Sequence, residues 1–220
     1  MKAQIYTAIS RFKFENSWHR KLSIFNSEDF FDASRKPFGN LQAVNDETLA
    51  PAHSKLYSGE QSLVILIIPM IGALAFCDAN NEETLISTGE ILRFSGTNSF
   101  SIVNPYDDQQ INFLVVEIKA RLKSGISKTA ISDSRNLLQP IFETDATNGF
   151  IGIFNARQEC VFKTQNPSNG IFAFVINGAF EFADRWLEAR DALTVRESED
   201  VDFEALSGNA IILILEIAVG

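Results

Sequence analysis

Two stretches of this chain, "IIPMIGALAF" at residues 67–76 and "FVINGAFEF" at residues 174–182, carry one pattern twice, and that repetition constrains the fold more than any other feature. Gly72 and Gly178 are each followed by Ala, a large apolar residue, one residue more, and Phe. Next come "ETLISTGEILRF" (83–94) and "DRWLEARDALTV" (184–195), in which Glu90 and Asp191 each precede an apolar strand. Phe100 and Ile102 then match Val201 and Phe203 at the same offset of 101 that separates Glu90 from Asp191. A repeat of this length means two copies of one supersecondary unit. Glycine permits a tight hairpin at positive φ, and the acidic residue can accept backbone N–H bonds where the chain turns back into a strand.

The unit is built of strands. "SLVILII", "GALAF", "QINFLVVEI", "GFIGIFNA", "GIFAFVING" and "NAIILILEIAV" are short, rich in Val, Ile and Phe, and bounded by Gly, Asn, Asp and Pro. "DANNEE", "NPYDD", "DATNG" and "NPSNG" read as turns. "NSEDFFDAS" (26–34) could hold a capped turn or two of helix, and little else is helical. Many short strands with little helix predict an all-β chain of barrels or sandwiches. The apolar run at 63–77 is shorter than the ~20 residues of a spanning helix and is broken by Pro69 and Gly72, so it predicts two buried strands meeting at "IPMIG" and no membrane partner. The polar stretch at 120–136 lacks strand periodicity and reads as a linker. The expected division is a first unit at 1–120, a linker at 121–136 and a second unit at 137–220.

Charge and cysteine usage exclude several functions. A net charge of −9 is the wrong sign for a phosphate-backbone binder, so no nucleic-acid partner is expected, although a small local basic patch is compatible with it. Cys77 and Cys160 are 83 residues apart with no C-x-x-C, which indicates neither a disulfide framework nor a zinc site. Two inert thiols and no signal-peptide pattern suit the cytoplasm. The chain has no G-x-S-x-G elbow, phosphate-binding loop or dinucleotide fingerprint.

Strand, glycine turn, strand, acid, strand, used twice, resembles a bicupin: two cupin (double-stranded β-helix, jelly-roll) barrels in one chain. The opening "WHRKLSIFNSEDFFDASRKPFGNLQAVNDETLAP" (18–51), with its "SIFN", "FFD", "RKPFGNL" and "VNDETLAP", resembles that of pirin-family proteins, including the quercetinase-like bacterial ones. "FAFVINGAFEF" and "EARDALTV" resemble the second cupin of that family. The resemblance implies a metal of the iron type in the first barrel, held by three histidines and a glutamate. Two histidines stand one residue apart before a "GFE"-like step; the other pair follows the second strand set. One-residue spacing on a strand points both groups to one face, and imidazole with carboxylate suits iron, nickel or copper.

This chain departs from that pattern. With "SGE" (58–60) as the step, the first pair falls on Ser54 and Leu56; counting from Glu90, the second falls on Ile102 and Asn104. A one-residue shift brings in His53, whose partner is then Lys55. The chain has two histidines where three are needed. His53 therefore reads as a loop or pocket-lip residue, His19 as a surface or packing residue beside Trp18, and Glu60 as a base if buried and a solvated strand-end acid if not. The expectation is a bicupin without metal or other cofactor. Its pocket would be lined by some of His53, Ser54, Leu56, Tyr57, Glu60, Ile102 and Asn104, and it would bind a small apolar or aromatic molecule or a protein partner. The alternative is a quercetinase-like dioxygenase using a reduced ligand set such as His53 with Glu60.

Overall fold

The computed structural model describes residues 1–27, 30–144 and 147–219. They form strands joined by turns, with one 3-10 turn at Ala8–Ser10 as the helical element. The chain divides into two compact units, one of residues 12–37 and 41–130, the other of residues 1–11, 38–40 and 131–220. In the first unit a seven-stranded sheet runs in the order Gly125–Ala130, Glu90–Ser95, Leu63–Ile71, Ile111–Lys119, Leu41–Leu49, His19–Ser23 and Phe12–Glu15. Its companion sheet has Ser54–Tyr57, Phe100–Val103, Leu74–Cys77 and Glu83–Ile86. The second unit repeats the plan with a six-stranded and a four-stranded sheet. Each unit holds its own core between its sheets. Leu49, Ile65, Ile67 and Phe113 meet Leu74, Phe76, Phe100 and Ile102 in the first. Phe154, Ala173, Val175 and Ile212 meet Phe180, Phe182, Leu187 and Phe203 in the second. No helix among the described residues is long and apolar enough to cross a membrane.

The repeated sequence motifs occupy matching places. Gly72 and Gly178 take φ +75° and +77° at the hairpins after Leu63–Ile71 and Asn169–Asn177, where a side chain would be strained. The Glu90 carboxylate accepts the Ser87 N–H at 2.8 Å, and Asp191 accepts that of Glu188 at 3.0 Å. Those bonds close the turn that starts each following strand. Pro69 cannot donate to a ladder, and it sits where the register with Ile111–Lys119 slips, between Asn112 and Phe113. The apolar run at 63–77 is thus the expected pair of buried strands, Leu63–Ile71 and Leu74–Cys77.

Two segments differ from the sequence reading. Part of the expected linker is a strand: Gly125–Ala130 pairs antiparallel with Glu90–Ser95 at the rim of the first unit's larger sheet. It is exposed along most of its length, so no alternation marked it. At the other end, Lys2–Tyr6 pairs with Ala192–Arg196, and residues 1–11 belong with the second unit. Tyr6 is the one buried residue of that strand. Phe38 also returns to the second unit, its ring 4.6 Å from the Arg196 guanidinium. The expected helical turn at 26–34 includes residues 28 and 29, which lie outside the described residues. On either side of them, Asn26 and Asp32 exchange hydrogen bonds. A chain lacking residues 1–6 should lose amide hydrogen-exchange protection along Ala192–Arg196 and keep it along Glu90–Ser95. Unchanged protection at Ala192–Arg196 would contradict this pairing.

Candidate functional site in the first barrel

Orientation on the strand Ser54–Tyr57 decides which of the expected pocket residues face inward. It pairs antiparallel with Phe100–Val103, setting Lys55 opposite Ile102 and Tyr57 opposite Phe100. Phe100 and Ile102 are buried in the core, so Lys55 and Tyr57 share their inward face. Ser54 and Leu56 point outward, and Leu56 is 69% exposed. Of the three expected lining residues on this strand, Tyr57 thus lies on the inward face and Ser54 and Leu56 on the outward one. On the neighbouring strand Ile102 is inward, and it offers no donor atom. Asn104 is buried but spent: its amide donates to the carbonyls of Leu49, Ala50 and Gln109, and its Oδ1 accepts the Tyr106 N–H. That side chain fastens two loops together. His53 is exposed, with Nδ1 2.7 Å from the Pro51 carbonyl and its ring stacked on Trp18. Glu60 is exposed.

What Lys55 and Tyr57 meet inside is Glu47. This residue precedes Leu49 by two on the strand Leu41–Leu49, so it shares the inward face of that core leucine. Its side chain is fully buried, and Oε2 receives three donors: Lys55 Nζ at 2.6 Å, His19 Nε2 at 2.7 Å and the Tyr57 hydroxyl at 2.9 Å. An ionised carboxylate only accepts, so His19 carries a proton on Nε2. The Lys55 ammonium also lies 4.4 Å from the Tyr57 ring centroid. Oε1 of Glu47 has no hydrogen-bond partner among the described residues. His19, expected at the surface or beside Trp18, keeps the Trp18 contact but is only 5% exposed and is tied to Glu47.

Burial alone would raise the Glu47 pKa; the hydrogen bond from His19, with the charge and hydrogen bond of Lys55, outweighs it and holds the carboxyl below its ordinary value. Burial, and then the Glu47 charge, push the Tyr57 phenol well above the tyrosine range, so Tyr57 is a neutral donor. Glu117, half-buried on the strand Ile111–Lys119, is raised by burial and then by the Glu47 charge. It has no hydrogen-bond partner among the described residues. The interior beside this charged cluster is filled by rings: Tyr57, Phe76 and Phe94 surround Phe100 with centroids 5.1, 5.0 and 4.8 Å away. Among the described residues no three His, Cys, Asp or Glu side chains are grouped to hold a metal.

Sequence reasoning missed Glu47, Lys55 as an inward residue, and Glu117. For Glu117 a signal existed: "LVVEI" (114–118) and "LILEI" (213–217) repeat at an offset of 99. In the second barrel Glu216 takes that place, fully buried, and accepts the N–H groups of Gln165 and Asn166 and the Asn169 amide. Glu47 gave no comparable signal, because residues on both faces of Leu41–Leu49 are buried and the period of two is lost.

Comparison with known proteins places the fold. The family model of the quercetinase C-terminal cupin domain matches residues 146–217. No curated protein matches the chain in sequence. Among solved structures, the bacterial pirin YhhW from Escherichia coli in complex with nickel(II) aligns with a TM-score of 0.87 and 12% identity, covering 98% of this chain and 99% of that one. YhaK from Escherichia coli aligns at TM-score 0.74 and 18% identity, over 90% of this chain and 94% of that one. Quercetin 2,3-dioxygenase from Acinetobacter baumannii aligns at TM-score 0.73 and 12% identity, over 99% of this chain and 79% of that one. In fold, then, this chain is a pirin-like bicupin, its second barrel matching the quercetinase C-terminal cupin domain.

Proposed function

We propose that this bicupin does no metal-dependent chemistry in its first barrel and serves as a binding protein, for a small apolar or aromatic molecule or for a protein partner. The observation that carries the reading is the Lys55 ammonium on the buried Glu47 carboxylate, on the inward face of the strand from which a pirin-type barrel would project two imidazoles. A metal ion needs lone pairs. Lys55 offers a cation with three donors and no acceptor, Tyr57 a phenol whose proton is held, and Ile102 nothing. The Asn104 amide is committed to three carbonyls. This donor set does not fit iron, nickel or copper. Glu47 and His19 are left; they are bonded to each other and the carboxylate's charge is already met by Lys55, so a cation would have to displace an ammonium and desolvate at the same place.

A quercetinase-like oxygenation with His53 and Glu60 as ligands finds no support in their positions, since both are exposed and His53 is turned onto its own loop. The rings around Phe100 occupy the barrel interior next to the cluster, which favours binding at the lip of the barrel or on its outside over binding at its centre.

Protein purified without chelator or affinity-tag nickel should hold transition metal far below one ion per chain. It should bind none tightly when titrated with iron, copper and nickel, and should leave a flavonol unoxidised. One tightly held metal per chain, released by His19→Ala or Glu47→Gln, would overturn the reading.

The charge cluster also fixes how stability depends on pH. Glu47 has a folded pKa below its unfolded value, so its contribution is present above the unfolded value and is lost as pH falls through the folded one. Glu117 has the opposite sign: its folded pKa is raised, so its ionisation costs stability as pH rises through that value. Glu117→Gln should therefore raise the melting temperature at pH 7 and leave it unchanged at pH 3. Glu47→Gln should cost about 3 kcal/mol at pH 7, the scale for breaking a buried ion pair. A Glu117→Gln variant less stable than the parent at pH 7 would contradict the arrangement described.

A further inference from the structure

At one edge of the first unit, a cavity of about 350 Å³ is walled by three segments of chain. Residues 60–62 contribute Glu60 and Ser62, residues 95–97 contribute Ser95 and Thr97, and residues 121–124 contribute Arg121 and Ser124. That volume lies at the small end of the range for small-molecule sites. The residue types of the wall are one-sided: it includes four hydroxyl-bearing residues and an arginine, with Glu60 as its one acid. Arg121 makes no hydrogen bond or ion pair to any described residue. Its neighbours sharpen the contrast. Residues 118–130, "IKARLKSGISKTA", hold Lys119, Arg121, Lys123 and Lys128 with no acid among them, in a chain of net charge −9. Of these, Lys128 is paired with Glu90 at 3.0 Å.

The walls are held in place. Gly59 N–H donates to the Asn98 carbonyl at 3.2 Å, and a Cβ at Gly59 would collide with the Gly96 and Asn98 carbonyls, so the two loops meet with no room for a side chain. The Ser62 carbonyl accepts the Ala120 N–H at 2.9 Å, joining the first segment to the approach of the third. Ser62 itself adopts φ +65°, a conformation costly for a residue other than glycine, and such residues cluster at ligand clamps.

We propose that this cavity binds the phosphate group of a small phosphorylated molecule, with Arg121 as the anchoring cation and the Ser62, Ser95, Thr97 and Ser124 hydroxyls as the remaining donors. A guanidinium pairs bidentately with either a carboxylate or a phosphate. The hydroxyls decide between them. They come from three separate segments around the cavity, which suits a tetrahedral group with three terminal oxygens better than a planar one with two. Glu60, an acceptor, suits a hydroxyl of the phosphorylated molecule's body. The cavity shares no residue with the Glu47 cluster and does not rest on the absence of metal.

The test is calorimetric titration of the full chain with inorganic phosphate, glycerol 3-phosphate and acetate, each at low and moderate salt. Saturable binding of one phosphate or glycerol 3-phosphate per chain is expected, weaker for acetate. Arg121→Ala should weaken phosphate at least tenfold, while Lys123→Ala, a change outside the cavity wall, should leave it within twofold. Circular dichroism confirms that each variant is folded. Arg121 is exposed, so its removal is not expected to disturb the core. No saturable phosphate binding, equal loss in both variants, or acetate bound more tightly than phosphate would each overturn the proposal.

Discussion

Everything distinctive about the first barrel depends on one buried carboxylate and the ammonium that reaches it. Glu47 has no exposed surface, and an ionised carboxylate in that position costs several kcal/mol unless its charge is met. Lys55, His19 and Tyr57 meet it on a single oxygen. The pairing explains why a strand beginning at the exposed Ser54 turns its lysine inward, why His19 is buried, and why Tyr57 lies flat against Phe100 at 5.1 Å. It also explains the raised pKa of Glu117, which has burial and the same carboxylate's charge against it.

The two barrels make the point by contrast. Glu117 and Glu216 occupy matching positions on matching strands, yet Glu216 is satisfied by backbone and amide donors from the turn at 165–169, and Glu117 is not. The second barrel interior is closed by Phe154, Phe180, Phe182 and Phe203, with no histidine in that half of the chain to suggest another role. The outward faces of the two smaller sheets differ as well. In the second unit Glu159, Glu181, Asp202 and Glu204 line a concave face together with the exposed Val161, whereas in the first the outward residues include Leu56 and Leu85.

How much of this was legible in the sequence follows from where the constraints act. The hairpin glycines, the turn-closing Glu90 and Asp191, and the split of residues 63–77 into two strands were legible because each rests on local chemistry that only a few residue types supply. Gly125–Ala130 and Lys2–Tyr6 were not, because exposed strands at a sheet's rim carry no alternating pattern to read. The facing of the expected pocket residues was hard to read for a different reason. Ser54–Tyr57 has four residues, too few for its own pattern to settle which face is inward, and only its pairing with Phe100–Val103 does so. On Phe100–Val103 the face is easier to read, since Phe100 and Ile102 alternate with half-buried neighbours. His53 drew attention as a histidine, while the residues that matter beside it, Lys55 and Tyr57, gained meaning only once Glu47 was found opposite.

The central claim is that Lys55 supplies the charge that Glu47 requires. A double-mutant cycle of Glu47→Gln and Lys55→Met, read by chemical denaturation at pH 7, measures that interaction directly. A coupling energy of about 1 kcal/mol or more, with the double variant more stable than the sum of the single losses implies, is the expected result. Additive losses, with coupling near zero, would contradict it and leave the buried carboxylate in need of another cation.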